Sequence, residues 1–533
     1  MTTRCLRTGT PGLPRSAAVH SSGTPRRDRA FLAVLALLLA IGVITAVTRG
    51  GGNPQKTSAQ KPADAAEGAS GDAGSAAMAA LRYQAGDDDQ YAERAAAGFS
   101  HPLYAAVPGG AVATAKRVAA WRGEIEKAAS VDDSPVDADT LEALVYLESA
   151  GRPNASATGK ISGAIGLTQI VGGTANDLLG MNVDLARSQD YTDELAKVTK
   201  QIARWDARGS TVAATRGRKR LEALRIARAK TDGRFVPATA LAATVRYLEI
   251  AKDKLGREDL ALTSYHMGIG NLQNVLAAYG RKSVSYVQLY FDVDPKRAPK
   301  AYRILSQFQD DSATYYWRIL AAKSIMKQYR EDAGALAATA KLVTSKASRE
   351  DLMHPPDANP GFKDGDALQE AEDDGELIPL PIAALNANGV AVSPAMGELA
   401  GRLKAPRSRY RALRRGSLAT LVTIGAAVKD LTGGKKVLVA TSSVRDLGYQ
   451  SLLQSETVQA THAYSLHTSG WAVDVSRSYA STRQAQMFQF VLTRMQALNL
   501  ISFVKEPEAI HFTAADDTEA RLGPILEVAL GRS

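Results

Sequence analysis

Residues 137–153 read DADTLEALVYLESAGRP. The stretch opens on Asp and Thr side chains able to cap a helix, and Leu141, Leu144, Val145 and Glu148 follow at i, i+3, i+4 and i+7. The spacing predicts a helix with Glu148 on its apolar face, close to the Gly151 and Pro153 that end it. A carboxyl group on such a face is desolvated, its pKa rises, and it can stay protonated near neutral pH as a general acid. The alternative is a glutamate at a helix end that turns to solvent. Helical spacing leaves both open.

Three elements follow in order: Gly163-Ala164-Ile165-Gly166-Leu167-Thr168-Gln169-Ile170, then Ser264-Tyr265-His266-Met267-Gly268-Ile269-Gly270-Asn271, then Thr314-Tyr315-Tyr316. With Glu148-Ser149 and Pro153 ahead of them, this order resembles the soluble lytic transglycosylases, relatives of goose-type lysozyme. The pattern of that family runs E-S-x(3)-P, G-A-x-G-L-x-Q and Tyr-Asn-x-Gly-x-Gly. The resemblance covers roughly residues 85–345 and implies an all-α, lysozyme-like domain. It also implies cleavage of the MurNAc-GlcNAc bond of peptidoglycan, leaving a 1,6-anhydro end. By matched position Glu148 is the general acid and then the base, Ser162 and Gln169 line the sugar cleft, Tyr265 sits beside the acid, and Tyr315 is the late cleft tyrosine.

An ordinary glycosidase flanks the bond with two carboxylates, and these motifs hold one. A single acid suits attack by the sugar's own hydroxyl. The chain departs from the family in three ways: His266 replaces Asn, the spacing from Ser156 to Gly163 is longer, and a basic insertion fills residues 196–234. The insertion carries Lys197, Lys200, Arg204, Arg208, Arg216, Arg218, Lys219 and Arg220. It could grip an anionic glycan or teichoic polymer, or simply form a solvated helical face. The glycines have their own plain reading, as tight turns or close helix contacts.

In the last third, Ser465-Leu466-His467-Thr468-Ser469-Gly470-Trp471-Ala472-Val473-Asp474 brings a histidine and an aspartate together, and His511 follows Glu508 by three residues. Two histidines and an aspartate suit zinc, which in catalytic sites takes three N/O protein ligands and leaves a position for water. A straight strand from His467 to Asp474 would span about 23 Å, so both reach one ion only if the chain turns, which Gly470 permits. Glu508 can act as the base for water that zinc activates, and Arg445 offers a fixed cation for a developing oxyanion.

The spacing S-x-H-x-x-G-x-A-x-D, with a later E-x-x-H, is similar to that of the zinc D,D-carboxypeptidase and D-alanyl-D-alanine dipeptidase family. Ser442-Ser443-Val444-Arg445 through Tyr449-Gln450 resembles the S-x-x-R-x(3)-Y-Q element of that family, and Ile510 stands where it usually has Trp. The resemblance covers about residues 396–530 and implies a small α+β domain that cuts stem or cross-bridge peptides. It makes His467, Asp474 and His511 the Zn2+ ligands, Glu508 the base and Arg445 the transition-state cation, with His462 a spare imidazole nearby.

The rest of the chain sets the compartment. Residues 30–47, AFLAVLALLLAIGVITAV, carry no charge and just reach bilayer-spanning length. Six arginines against one acid precede them, which keeps residues 1–29 in the cytoplasm and exports the remainder. No small-x-small cleavage site follows the apolar run, so a retained anchor is favoured over a cleaved signal. Residues 49–84 are poor in large apolar side chains and read as a flexible tether, and the Pro-, Gly- and acid-rich residues 346–395 read as a linker.

Composition agrees with export. The single cysteine, Cys5, excludes a disulfide framework and thiolate zinc sites. The net charge of +10 suits an anionic wall, and no basic patch interleaved with aromatics points to nucleic acid. At roughly 150 residues per domain, 533 residues exceed one core. The expectation is a multidomain chain: cytoplasmic segment 1–29, transmembrane helix 30–48, tether 49–84, lytic domain 85–345, linker 346–395 and zinc peptidase domain 396–530. It would be held in a bacterial membrane by one helix, with both catalytic domains outside the cytoplasm and peptidoglycan as partner. The rival is a wall-binding scaffold whose helical domain has lost turnover while the peptidase stays active. Oligomeric state is not set by the sequence.

Overall fold

A computed structural model describes residues 72–532, apart from 132, 133, 135, 309, 435, 436 and 457–463. The segment 1–29, the expected membrane helix at 30–48, most of the tether and His462 lie outside the described residues. Among the described residues no helix is long and apolar enough to cross a membrane. The protein is mostly helical, with a small sheet region confined largely to its last third.

Helix α1 (Ala73–Ala80) lies within the stretch expected to be a tether, yet Ala73, Ala77 and Met78 are buried. It packs on a long helix of the last third, where a Cβ at Gly74 would come within 3.1 Å of the Asp430 Cβ. Composition missed this because alanine buries little area per residue but permits close helix packing.

Helix α2 (Ala138–Ser149) starts where the sequence places it, with the Asp137 carboxylate accepting the Thr140 N–H at 2.6 Å. It is buried far beyond one apolar stripe. Even Glu142 is fully covered, its charge met by Arg122 at 3.2 Å and by Arg330. Helices α3 (Leu185–Ala207) and α4 (Thr211–Thr231) carry the basic insertion, α5 (Pro237–Leu255) and α6 (Glu258–Met267) follow, and α7 (Tyr315–Glu331), which packs along α2, is followed by α8 (Ala333–Thr344). The helical part also holds a two-residue antiparallel pair, β1 (Ala164–Ile165) with β2 (Ile170–Val171).

The last third is built on a five-stranded sheet. Strand β3 (Val390–Val392) runs parallel to β4 (Leu438–Ser442), and antiparallel β5 (Ala472–Ser476), β7 (Ala509–Ala514) and β6 (Ile501–Lys505) follow in that order. Because side chains alternate along a strand, Val473, Val475, Ile510 and Phe512 share one buried face. Asp474 and His511 lie on the other, directly opposite each other in register. The buried face is covered by helices at Arg415–Thr432 and Thr482–Ala497.

Residues 346–395 are no mere linker. They contribute β3 to the sheet, and the first part of their acidic run, Glu370 to Asp373, lies on a helix, Gly365–Asp373, capped by Asp364 and buried through Leu368 and Ala371. The same composition that signals a linker thus acts as caps and turns. Buried His354 stacks on Trp471 with ring centroids 4.3 Å apart and donates to the Ala514 carbonyl at 2.6 Å. The helical and sheet regions are further joined by Gln496, whose amide donates to the Gly98 carbonyl at 2.9 Å. Arg494 donates to the Val293 carbonyl at 3.0 Å.

Candidate active sites

Glu148 occupies the last turn of α2, and Tyr315, the first residue of α7, donates its phenolic hydrogen bond to the Glu148 Oε1. His266 and Tyr265 come from the end of α6. The His266 ring lies 5.0 Å from that of Tyr315, and Tyr265 donates to the Thr168 carbonyl at 2.7 Å. Burial raises the Glu148 carboxyl to about 7, with His266 and the Tyr315 hydrogen bond pulling the other way without cancelling it. The structure brings Tyr315 onto Glu148, and Tyr265 lies near enough that, after burial, the Glu148 charge adds to the rise of its phenol above the ordinary value.

A second acid, absent from the sequence motifs, lies close by. Asp311 pairs with Arg318 and lies 3.3 Å from the His266 Nε2. Burial works against its charge, but Arg318 and His266 outweigh this and hold its pKa below the ordinary carboxylate value. His266, Asp310 and Asp311 have ligand atoms within 4.8 Å of one another, although Asp311 is already engaged by the Arg318 guanidinium.

Gln169 and Ser162 stand in the glycine-rich loop. Gln169 has a left-handed backbone, φ 54°, and its amide nitrogen donates to the Ala155 and Gly166 carbonyls at 3.1 and 2.8 Å. That nitrogen therefore shapes the loop. Ser162 is exposed, its carbonyl accepting the Gly172 N–H, and no hydrogen bond joins it to Glu148 among the described residues.

What fixes the loop is Arg234, at the very end of the basic insertion. Fully buried, it pairs with Asp232 and donates to the carbonyls of Ile161, Gly163 and Ile170 at 2.8, 3.1 and 3.2 Å. Gly166 packs so tightly on it that a Cβ would come within 2.0 Å of the Arg234 carbonyl oxygen, at φ +86°. The basic residues expected to grip a polymer are exposed on α3 and α4 and in the turn between them, with Arg218 paired to Asp206 and Arg220 to Glu194.

The second site forms around Asp474. His467 sits in a single turn, Leu466–Ser469, reversed by Gly470 at φ 78°, as the spacing requires. Its Nδ1–H donates to the Ser443 carbonyl at 2.8 Å, which leaves Nε2 3.1 Å from the Asp474 Oδ2. The His511 Nδ1 lies 2.9 Å from the Asp474 Oδ1, and its Nε2 2.8 Å from the Glu350 Oε2. Ligand atoms of His467, Asp474 and His511 all lie within 4.8 Å of one another.

The donor chemistry fits a cation. Burial and Arg445 push His467 toward its neutral form, so with Nδ1–H committed to Ser443 its Nε2 turns a lone pair toward a carboxylate oxygen. A metal ion placed there would satisfy both. Burial disfavours a charge on His511, but the Asp474 and Glu350 carboxylates outweigh it and raise its pKa to about 10.

Arg445 joins this cluster, donating to the Ser442 Oγ at 2.7 Å, to the Gln450 Oε1 at 3.0 Å and to the Asp474 Oδ2 at 3.3 Å. Glu508 does not. The Glu506 N–H donates to the Ala509 carbonyl, so Pro507 and Glu508 form the tip of the β6–β7 hairpin and Glu508 is exposed. Glu506 is exposed as well but shares the strand face of His511, and partial burial together with the Asp474 charge raises its carboxyl. The E-x-x-H spacing selects Glu508, and only the strand pairing, with its turn at Pro507 and Glu508, shows that Glu506 lies on the His511 face.

Comparison of the chain with protein-family models, curated proteins and solved structures returns no match.

Proposed function

We propose that the protein is a two-site peptidoglycan-degrading enzyme of the bacterial cell envelope. One site cuts the MurNAc-GlcNAc bond in the manner of a lytic transglycosylase, and the other cuts stem or cross-link peptides as a zinc peptidase. The observation that supports this reading is that one chain assembles both a carboxylic acid poised near 7 and a two-histidine, one-aspartate ligand set.

At the first site Glu148, protonated below about pH 7, donates its proton to the glycosidic oxygen as the bond to the leaving sugar breaks. The resulting carboxylate then takes the proton of the sugar's own hydroxyl as that oxygen closes the 1,6-anhydro ring. Tyr315 holds Glu148 in place and stabilises the carboxylate by its hydrogen bond. Asp311, engaged by Arg318 and His266, is not free to act as a second nucleophile or base. That supports the single-acid route.

At the second site His467, Asp474 and His511 would hold zinc, which when bound supplies Lewis acidity and lowers the pKa of water toward 7. Glu506, on the metal-facing side of the hairpin, accepts the proton of the attacking water and returns it to the leaving amine. Arg445 orients Asp474 and brings a positive charge to the same wall. Digestion of purified sacculi by the full chain, read by mass spectrometry of the soluble products, tests the proposal.

A further inference from the structure

The His511 imidazole is held from two sides, and its outer partner comes from beyond the sheet domain. Glu350 lies six residues after the end of α8, in the stretch read by composition as a linker. It is 5% exposed. Its Oε2 lies 2.8 Å from the His511 Nε2 and accepts the Thr513 hydroxyl at 3.1 Å, while its Oε1 accepts Lys346 Nζ at 2.6 Å. The Glu350 carbonyl accepts the His354 N–H at 2.8 Å, and His354 is itself stacked on Trp471. The carboxylate is thus locked from both oxygens and from its backbone.

A histidine can ligate through one ring nitrogen only if that nitrogen carries no proton, and the partner of the other nitrogen decides this. Outer carboxylates that accept the second N–H orient the ring and raise its basicity as a ligand. We propose that Glu350 is a positioning residue of the metal site. By accepting Nε2–H it sets the His511 tautomer that presents the Nδ1 lone pair toward Asp474 and His467. The C-terminal site would then be completed by the segment that leaves the helical region, and residues 396–530 alone would lack its outer shell. The inference rests on the metallopeptidase reading above.

The test uses the full-length protein and zinc itself, with affinity measured by competition against a chromophoric chelator. Wild type is expected to bind zinc at the His467–Asp474–His511 site, and Glu350→Ala to bind it about 10- to 100-fold more weakly. Glu350→Gln, whose amide oxygen still accepts Nε2–H without the charge, is expected to recover part of that loss. This isostere also keeps the comparison valid should the alanine variant fold poorly. Equal zinc affinity in wild type and both variants would overturn the role of Glu350 while leaving the metal site standing. Absence of zinc binding by wild type would instead overturn the reading on which the inference rests.

Discussion

Tyr315 donates its phenolic hydrogen bond to the Glu148 carboxylate across 167 residues of sequence, so the start of one helix controls the acid at the end of another. Removing that donor destabilises the ionised form of Glu148. Tyr315→Phe is therefore expected to move the alkaline limb of glycan release upward by about one pH unit, and to lower the rate. Initial rates of muropeptide release between pH 5 and 9 measure this, and an unmoved limb would separate Tyr315 from the acid.

The wild-type profile follows from Glu148 itself. With its carboxyl raised from 4.5 to about 7, glycan release should decline as pH rises through 7. Stability carries the matching sign. Between those two values the native state holds a proton that the unfolded chain has lost, so stability falls as pH rises through the window. Glu148→Gln should melt higher than wild type at pH 8 and gain less at pH 4, as thermal scans at both values would show.

The two hairpin glutamates are separated by direct substitution. Glu506→Gln is expected to reduce peptide cleavage by about 10²- to 10⁴-fold, the range for loss of a general base, and Glu508→Gln to change it less than about twofold. Rates on a defined stem peptide decide between them. The reverse ranking would restore the base to the hairpin tip.

Metal removal should divide the two activities. Chelation is expected to abolish peptide cleavage, with zinc restoring it, while glycan release continues because no residue at Glu148 belongs to the ligand set. His467→Ala should reproduce the chelated state, as parallel assays of both products would record.

Gly166 tests the link between loop and acid. An alanine there meets the Arg234 carbonyl oxygen at 2.0 Å in a left-handed backbone, with a cost of about 3 kcal/mol or more. Gly166→Ala should lower the melting temperature by several degrees and depress glycan release. Calorimetry alongside muropeptide release measures both.

The legible parts of the chain were those whose causes are local. The Asp137 cap and the apolar spacing through Val145 announce α2, and the S-x-H-x-x-G-x-A-x-D run contains its own turn at Gly470. What escaped depends on distant partners. Glu142 is a buried residue whose charge is met in part by Arg330, 188 positions away, and Glu350 lies 161 positions from the His511 it holds. Arg234 carries no motif that singles it out, and only the three carbonyls around it reveal a buried clamp. The residue pattern around His511 named a glutamate, but the hairpin that puts Glu506 on the His511 face and Glu508 at its tip is a property of strand pairing.

The central claim, two separate cutting chemistries in one chain, is tested most directly by mass spectrometry of products from purified sacculi. Full-length wild type, Glu148→Gln and His467→Ala are compared. Wild type should release 1,6-anhydro muropeptides with shortened or unlinked peptides. Glu148→Gln should lose only the anhydro ends, and His467→Ala should lose only the peptide cuts. Identical product spectra from wild type and both variants would contradict it.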